Sequence, residues 1–231
     1  MRYPRPVLPG VFLARPNRFV ARVLVAGREA VCHVKNTGRC AELLTPGAQV
    51  FVQPAAPDSP RKTAFDLVAV YKGSVLFNLD SQAPNLAAGE FLRAGGIWPA
   101  PALVRPETAF GDSRFDFYIE HAEGQAFVEV KGVTLEENGT ALFPDAPTLR
   151  GAKHLRGLAQ AVRQGYGAAV LFVLQFTGSA RFCPNRRTDP AFAAALLAAR
   201  DAGVQVLAVE CAVTPDAMQL TAPVPVDWSG G

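Results

Sequence analysis

The chain has 231 residues, a formal net charge of +3, and a composition that is 49% hydrophobic and 19% charged. These values allow a proper hydrophobic core and exclude an intrinsically disordered protein. The longest apolar runs, such as 168–176, are too short to cross a bilayer, and prolines interrupt the N-terminus where a signal peptide needs an apolar segment. We therefore expect a soluble, cytoplasmic protein that does not bind membranes.

Short strand-like segments follow one another through the first 80 residues. They alternate apolar residues with polar or basic ones, which is typical of strands with one buried face. The predicted strands are 10–16, 18–27, 29–35, 48–55, 64–73 and 74–80. About five short strands in a segment of this size predict a small barrel such as an OB-fold, which commonly binds nucleic acid.

The charge is distributed unevenly along the chain. Residues 1–80 hold 11 Lys and Arg against 5 Asp and Glu, whereas residues 81–231 hold 12 against 15, so the two parts carry +6 and −3. This asymmetry favours two modules, of which the first faces a polyanion, although an ordinary arginine-rich surface would give the same count. Prolines and small residues in 80–85 mark the predicted boundary, so we divide the chain into domains 1–82 and 83–231.

The second part alternates predicted helices and strands. The elements in chain order are a helix at 86–96, a hairpin at 113–131, a helix at 148–165, a strand at 168–176, a helix at 188–203 and a strand at 204–213. Helices that separate buried strands imply an α/β sheet. The tail at 225–231 is predicted to be coil.

The predicted hairpin carries three charged residues. Alternation places Phe115 and Phe117 on one strand face and Asp116 on the other, while Glu129 and Lys131 lie together on one face of the next strand. Two adjacent carboxylates repel unless a cation lies between them, and Mg²⁺ is a hard ion that one or two carboxylates can bind. A neighbouring lysine can orient the attacking water or stabilise charge on a phosphate. An ion pair between Lys131 and one of the acids is the alternative.

A basic helix face follows the hairpin. Arg150, Lys153 and His154 share one face of the predicted helix with Gly157. A basic face beside two carboxylates suits a phosphate backbone, and it also suits simple charge compensation.

The four cysteines are scattered and form no CxxC pair, which argues against a zinc site. They are Cys32, Cys40, Cys183 and Cys211. We expect free, reduced thiols.

Five strings along the chain carry a family resemblance. They are "HVKNTGRCAELLTPG", "APN", "FGDSRFDF", "VEVKGVTL…FPDAPTLRGAKHL" and "RFCPNRRTDPAF". In this order and spacing, the chain resembles the sugar fermentation stimulation protein A family through nearly its whole length. The resemblance implies an α/β (α+β) fold: a small OB-like β-barrel followed by a restriction-endonuclease-like mixed sheet flanked by helices, with a PD-(D/E)xK core. It also implies DNA binding without strong sequence preference.

The resemblance assigns roles to the acidic and lysine residues. Asp116 takes the place of the family's strand aspartate, and Glu129 and Lys131 take the Glu-x-Lys pair. Asp116 and Glu129 are thus the expected ligands of Mg²⁺ or Mn²⁺. Glu90 falls where such nucleases often carry an extra catalytic acid, and Glu107 is a competing candidate.

The partner implied is DNA, held mainly through its phosphates. The residues expected to contact it are Arg15, Arg18, Arg22, Asn36, Thr37, Arg39, Arg61, Lys62, Arg114, Arg150, Lys153 and His154. Neutralisation of phosphates predicts an affinity that falls steeply with salt.

Two functions remain open at this point. One is a Mg²⁺-dependent DNA phosphodiesterase. The other is a catalytically silent DNA-binding regulator of sugar (maltose) metabolism genes, in keeping with the family's naming.

Overall fold

A computed structural model describes residues 1–36, 38–57 and 61–229. The described residues of the first part form six strands. They are β1 (Leu8–Asn17), β2 (Val20–Val25), β3 (Arg28–Val34), β4 (Gln49–Pro54), β5 (Phe65–Lys72) and β6 (Val75–Asn78). The sheet order is β3-β2-β1-β4-β5-β6, and a parallel pairing of β3 with β5 closes the first five strands into a barrel. The small OB-like barrel predicted from the alternating pattern is confirmed.

The alternation in β2 shows why this part closes into a barrel. Ala21, Val23 and Val25 are buried, while Arg22 and Leu24 between them are exposed. Side chains on successive residues of a strand point to opposite faces, so one face fills the barrel and the other meets solvent.

The second part combines three helices with nine strands in the described chain. They are α1 (Ala83–Arg93), β7 (Leu103–Phe110), β8 (Ser113–His121), β9 (Gly124–Val133), β10 (Leu135–Glu137), β11 (Thr140–Phe143), α2 (Leu149–Arg163), β12 (Gly167–Leu174), β13 (Arg181–Pro184), α3 (Pro190–Asp201), β14 (Gln205–Thr214) and β15 (Ala217–Val224). The main sheet has the order β15-β14-β12-β9-β8-β7, with β9, β12 and β14 parallel. A smaller sheet has the order β10-β11-β13.

Helices cover both faces of the main sheet. Residues of α1 pack with Phe117, Val128 and Leu171 on one face, and residues of α2 and α3 pack with Phe127 and Phe172 on the other. The predicted mixed sheet flanked by helices is therefore confirmed. The strands that periodicity missed include β7, which lies at the sheet edge and is mostly exposed, so that it shows no clear apolar alternation.

The starts of α2 and α3 are joined by one carboxylate. Asp189 Oδ1 accepts a hydrogen bond from the amide of Phe192 at 2.8 Å and so caps α3; the sequence predicts Thr188 or Asp189 for this cap. Asp189 Oδ2 accepts one from the amide of Thr148 at 2.7 Å, and the Thr148 hydroxyl caps α2 through Gly151. This bond fixes the N-terminus of α2, which lies next to the candidate site.

The junction between the barrel and the main sheet is polar and buried. Gln175 Nε2 donates hydrogen bonds to the carbonyl oxygens of Asn78 at 3.0 Å and Asp80 at 3.2 Å. Asp80 is 2% exposed and pairs with Lys35 from the end of β3. The barrel therefore sits against the main sheet through a satisfied hydrogen-bond network. The domain division at residues 82 and 83 stays a prediction.

Among the described residues, no helix is both long enough and apolar enough to cross a membrane.

Candidate metal and nucleic-acid site

The aspartate of the hairpin is held by two elements. The β8–β9 ladder runs from the pair of Phe117 and Val128 to the hairpin turn. Asp116 lies one residue before Phe117, just outside this ladder. The amide of Val130 donates to Asp116 Oδ2 at 2.7 Å, and Asn85 Nδ2 of α1 donates to Oδ1 at 2.8 Å. These two bonds fix the orientation of the Asp116 carboxylate beside β9.

The glutamate of β9 is held by a lysine of its own strand and a histidine of α2. Glu129 is 3% exposed, and its Oε1 accepts hydrogen bonds from Lys131 Nζ at 2.5 Å and from His154 Nδ1 of α2. A carboxylate can only accept, so His154 Nδ1 is the donor in this bond, and Arg150 Nε lies 3.4 Å from Nε2 on the other side of the ring. His154 thus positions Glu129.

The second oxygen of Glu129 has no hydrogen-bond partner although it is buried. A buried carboxylate oxygen without a donor lowers the stability of the folded protein, unless a positively charged group such as a metal ion contacts it. The chemistry of the donor set fits a hard divalent cation, because Mg²⁺ accepts one or two carboxylates and completes its shell with waters and phosphate oxygens. Within residues 1–36, 38–57 and 61–229, no cluster of three or more His, Cys, Asp or Glu side chains could hold a metal ion. The candidate site thus offers a cation two neighbouring carboxylates, those of Asp116 and Glu129.

The two carboxylates have opposed pKa shifts. Burial, and then the charge of Glu129, raise the pKa of Asp116. Burial by itself would raise the pKa of Glu129, but the hydrogen bond from His154 and the charge of Lys131 outweigh it and lower that pKa. Burial and the neighbouring charge of Glu129 thus both disfavour the charged form of Asp116, and a cation bound there would favour it.

One feature of the predicted hairpin is wrong. Phe115 was expected to share a face with Phe117, but Phe115 packs against α2, with its ring centroid 6.1 Å from that of His154, while Phe117 packs with Ala88 of α1. The regular alternation is lost at Asp116, whose side chain bonds the backbone of β9 and a residue of α1 instead of simply continuing one face.

The structure does not bring either extra acid to the pair. Glu90 is exposed, and its Oε2 accepts a hydrogen bond from the amino group of Met1 at 2.5 Å. Glu107 forms an exposed ion pair with Arg114 at 3.0 Å. The catalytic role predicted for Glu90 is therefore not supported by its position, and Arg114 is engaged by Glu107.

Several residues predicted to contact DNA bind other parts of the protein. His154 is 6% exposed and faces Glu129, so it is not a phosphate contact. Arg61 makes two hydrogen bonds to the buried carboxylate of Asp66, at 2.7 and 3.2 Å. Arg22 pairs with Glu29 on the barrel surface.

Arg15 also has a structural role. Its guanidinium donates to four backbone carbonyls, those of Arg18, Asn36, Gly38 and Arg39. The distances are 2.8, 2.9, 3.0 and 2.5 Å in that order. Arg15 therefore holds a loop and is not available to phosphate.

The remaining basic residues lie at the surface. Arg18, Arg39, Lys62 and Arg150 are exposed. Lys153 is half-exposed and pairs with Asp112 at 3.1 Å.

The loop after β3 is partly described. Asn36 turns its side chain back to accept a hydrogen bond from the amide of Gly38 at 2.8 Å, so it shapes the loop. Thr37, also predicted to contact DNA, lies outside the described residues.

The cysteines match the expectation of free thiols. All four are free and buried: Cys32, Cys40, Cys183 and Cys211.

Three functional placements were not predicted from the sequence. They are the bond of Asn85 to Asp116, the bond of His154 to Glu129, and the four carbonyl contacts of Arg15. The string "APN" contains Asn85, but nothing in its composition identifies Asp116 as its partner.

Comparison with protein families matches both parts of the chain. The family described as "SfsA N-terminal OB domain" matches residues 13–79, and the family described as "Sugar fermentation stimulation protein RE domain" matches residues 82–217.

Comparison with individual proteins gives the same result. A sugar fermentation stimulation protein homolog from Desulfitobacterium hafniense is 52% identical over 210 residues, which cover 91% of each chain. A homolog from Clostridium beijerinckii is 47% identical, with 93% of this chain and 94% of the relative covered. The structure of Pyrococcus furiosus SfsA in complex with Ca²⁺ superimposes with a TM-score of 0.88, at 28% identity and 98% coverage of each chain.

Proposed function

The chain belongs to the sugar fermentation stimulation protein family, and from this premise we propose that it binds DNA without sequence preference and hydrolyses its phosphodiester backbone with a divalent cation, Mg²⁺ or Mn²⁺. The observation that carries the proposal is the buried Glu129 Oε2, which has no donor although it lies in a site with a second carboxylate, Asp116. A buried carboxylate oxygen of this kind suits a metal ligand better than a simple ion pair.

The cation is proposed to bind Asp116 and Glu129. The Pyrococcus furiosus relative was solved with Ca²⁺, and Ca²⁺ and Mg²⁺ are both hard cations that prefer oxygen ligands. The bonds of Asn85 to Asp116 and of His154 to Glu129 keep the two carboxylates oriented. Such partners of ligand groups tune metal affinity and geometry.

When bound, the cation supplies Lewis acidity toward the phosphate and lowers the pKa of a coordinated water. The protein's own contribution at the reacting phosphate is Lys131. Its ammonium has three donors, of which one is directed to Glu129 Oε1, so the others can orient water or stabilise charge on a phosphate oxygen. Arg150, exposed at the start of α2, adds a cation beside the site.

The experiment measures cleavage and binding on the same samples. Supercoiled, linear and single-stranded DNA are incubated with Mg²⁺, Mn²⁺ or EDTA, and gel shifts report binding. Asp116→Asn, Glu129→Gln and Lys131→Met are compared with wild type and with Glu120→Gln. Glu120 is a matched control, since it is an acid of the same strand that accepts a hydrogen bond from the Tyr118 hydroxyl at 3.0 Å, away from the pair.

We expect cleavage that needs the cation and is lost in the Asp116 and Glu129 variants. The cleavage rate of the Lys131 variant is expected to be lower by about 100-fold or more, as for the loss of one preorganised donor to a developing charge. The Glu120 variant is expected to cut like wild type. Calorimetric titration with Mn²⁺ should show one site that Asp116→Asn and Glu129→Gln remove. Wild type that neither binds Mn²⁺ nor cuts DNA would refute the nuclease.

One observation favours the second candidate, a catalytically silent DNA-binding regulator of sugar metabolism genes. Glu129 is already paired with Lys131 at 2.5 Å, so the charge of that carboxylate is partly compensated without a cation. Under this function, DNA binding persists in EDTA, no substrate is cut, and the three site variants bind DNA like wild type.

A further inference from the structure

An aromatic side chain is exposed at the turn between β1 and β2. Phe19 is 44% exposed. Of the exposed large hydrophobic side chains in the described residues, it is the aromatic one. Arg18 lies over it, with its guanidinium carbon 4.8 Å from the ring centroid. Arg18 makes no ion pair with any residue in the described ranges. The turn thus presents a ring and a free cation side by side.

This turn is tied to the loop that follows β3. Arg15 Nη2 donates to the carbonyls of Arg18 at 2.8 Å and Asn36 at 2.9 Å, and Nη1 donates to the carbonyl of Gly38 at 3.0 Å. One guanidinium therefore fixes the two segments relative to each other. A preorganised surface loses less conformational entropy when it binds a ligand.

The loop in turn reaches the candidate site. The amide of Arg39 donates to Asp145 Oδ2 at 3.2 Å. A cavity of about 170 Å³ extends from Asn36 and Gly38 to Gly132, the residue after Lys131. The loop that Arg15 ties to the turn of Phe19 therefore borders a cavity that reaches β9 at Gly132, the strand that also carries Lys131.

A wider cleft adjoins this cavity. It has a volume of about 400 Å³ and is lined by residues that include Arg39, Asp145 and Arg187. Its lining holds three acids, Glu42, Glu137 and Asp145. Glu137 pairs with Arg187 at 2.6 Å, and Asp145 accepts a hydrogen bond from the Arg39 amide. Clefts of a few hundred Å³ hold one small molecule. A nucleotide of one strand matches this scale, and a duplex does not.

We propose that the chain binds single-stranded DNA along a track that begins at Phe19 and Arg18, passes Arg39 and ends at Lys131. The proposal rests on the proposed function and names the strand state of its substrate. Proteins that bind single strands combine a basic groove for the phosphates with aromatic rings on which bases stack. The proposed track has these parts in order: the ring of Phe19, the cations of Arg18 and Arg39, and the narrow cleft. A duplex keeps its bases stacked inside and offers none to Phe19.

The test is fluorescence anisotropy in EDTA, so that binding is read without cleavage. A labelled single strand and a duplex of the same length are titrated with wild type, Phe19→Leu and Arg39→Ala. Arg200→Ala is the matched control, because Arg200 also covers an aromatic ring, that of Trp228, at 4.5 Å near the end of α3. Circular dichroism confirms that each variant is folded.

We expect wild type to prefer the single strand. Phe19→Leu should weaken single-strand binding by roughly 5- to 100-fold, the range for loss of one base-stacking ring, and leave duplex binding within about twofold. Arg39→Ala should weaken binding and reduce the slope of log affinity against log salt by about 0.7, as for one single-strand phosphate contact. Arg200→Ala should behave as wild type.

The failures of the two proposals differ. The track is refuted if wild type binds the duplex as tightly as the single strand. It is also refuted if Phe19→Leu lowers the affinities for both DNAs equally or lowers neither, even when metal-dependent cleavage is found. If the single-strand preference and its dependence on Phe19 are found but nothing is cut with Mg²⁺ or Mn²⁺, the track stands and the nuclease fails.

Discussion

The replacement of Arg15 by alanine tests whether this residue is structural or binds DNA. The arginine was expected from the sequence to lie on a DNA track, but its guanidinium donates four hydrogen bonds to carbonyls of the β1–β2 turn and of the loop after β3. Arg15→Ala removes all four. We expect a loss of global stability, together with local opening of the loop.

The magnitude follows from the burial of the bonds. Those to Asn36 and Gly38, at 2.9 and 3.0 Å, are partly buried, and those to Arg18 and Arg39 are exposed. A hydrogen bond to a charged group contributes about 1.5–3 kcal/mol, so the two partly buried bonds set an upper value of about 3–6 kcal/mol. Water can replace part of this contribution at the freed carbonyls. We therefore expect the free energy of unfolding to fall by about 2–4 kcal/mol.

The assay is urea unfolding followed by circular dichroism, with Arg15→Lys and Arg22→Ala beside Arg15→Ala. Lysine keeps the charge but cannot reach several carbonyls at once, so Arg15→Lys should lose most of the same stability. Arg22 forms an exposed pair with Glu29, and its removal should barely move the midpoint. An Arg15→Ala protein as stable as wild type, with DNA affinity reduced, would refute the structural role.

Three further predictions concern packing and protonation. Gly132→Ala would place a Cβ 2.6 Å from Gln175 Oε1 and 2.8 Å from Pro84 Cγ; because Gln175 is buried and bonded, urea unfolding should show a loss of about 1–3 kcal/mol. Burial raises the pKa of Cys32 and Cys211 to about 12 and that of Cys40 to about 11, so iodoacetamide at about pH 8 should label these thiols only after denaturation, as mass spectrometry can check; labelling of the native protein would contradict their burial. Burial alone would raise the pKa of Glu136, but the hydrogen bonds from Lys72 and the Gly139 amide lower it, so its stabilisation is present above its ordinary pKa and is lost as pH falls through the lower folded value. Lys72→Met should therefore reduce stability by up to about 1 kcal/mol at neutral pH and by less in acid, and an equal loss at both pH values would count against the pair.

Local chemistry made part of this protein predictable from its sequence. Alternation in 10–35 predicts strands, and Thr188 or Asp189 ahead of Pro190 predicts the start of α3. Glu129 and Lys131 are two residues apart on a strand and must share a face. These features depend on neighbours within a few residues, so a pattern in the sequence shows them. The hairpin pattern also predicts that Asp116 lies beside Glu129 and Lys131, and the family resemblance added the nuclease-like core to which these residues belong.

Only the tertiary structure decided which distant groups meet. His154 lies on a basic helix face in sequence, yet α2 packs so that this residue turns inward to Glu129. Arg15 looks like any basic residue of a barrel strand, because its partners are backbone carbonyls, which every residue carries and no pattern marks. Phe115 left the face of Phe117 because Asp116 bonds the backbone of β9 and a residue of α1. Residue type and spacing determined the strands, the caps and the charged hairpin, whereas long-range packing decided which charges are buried, paired or left to a ligand.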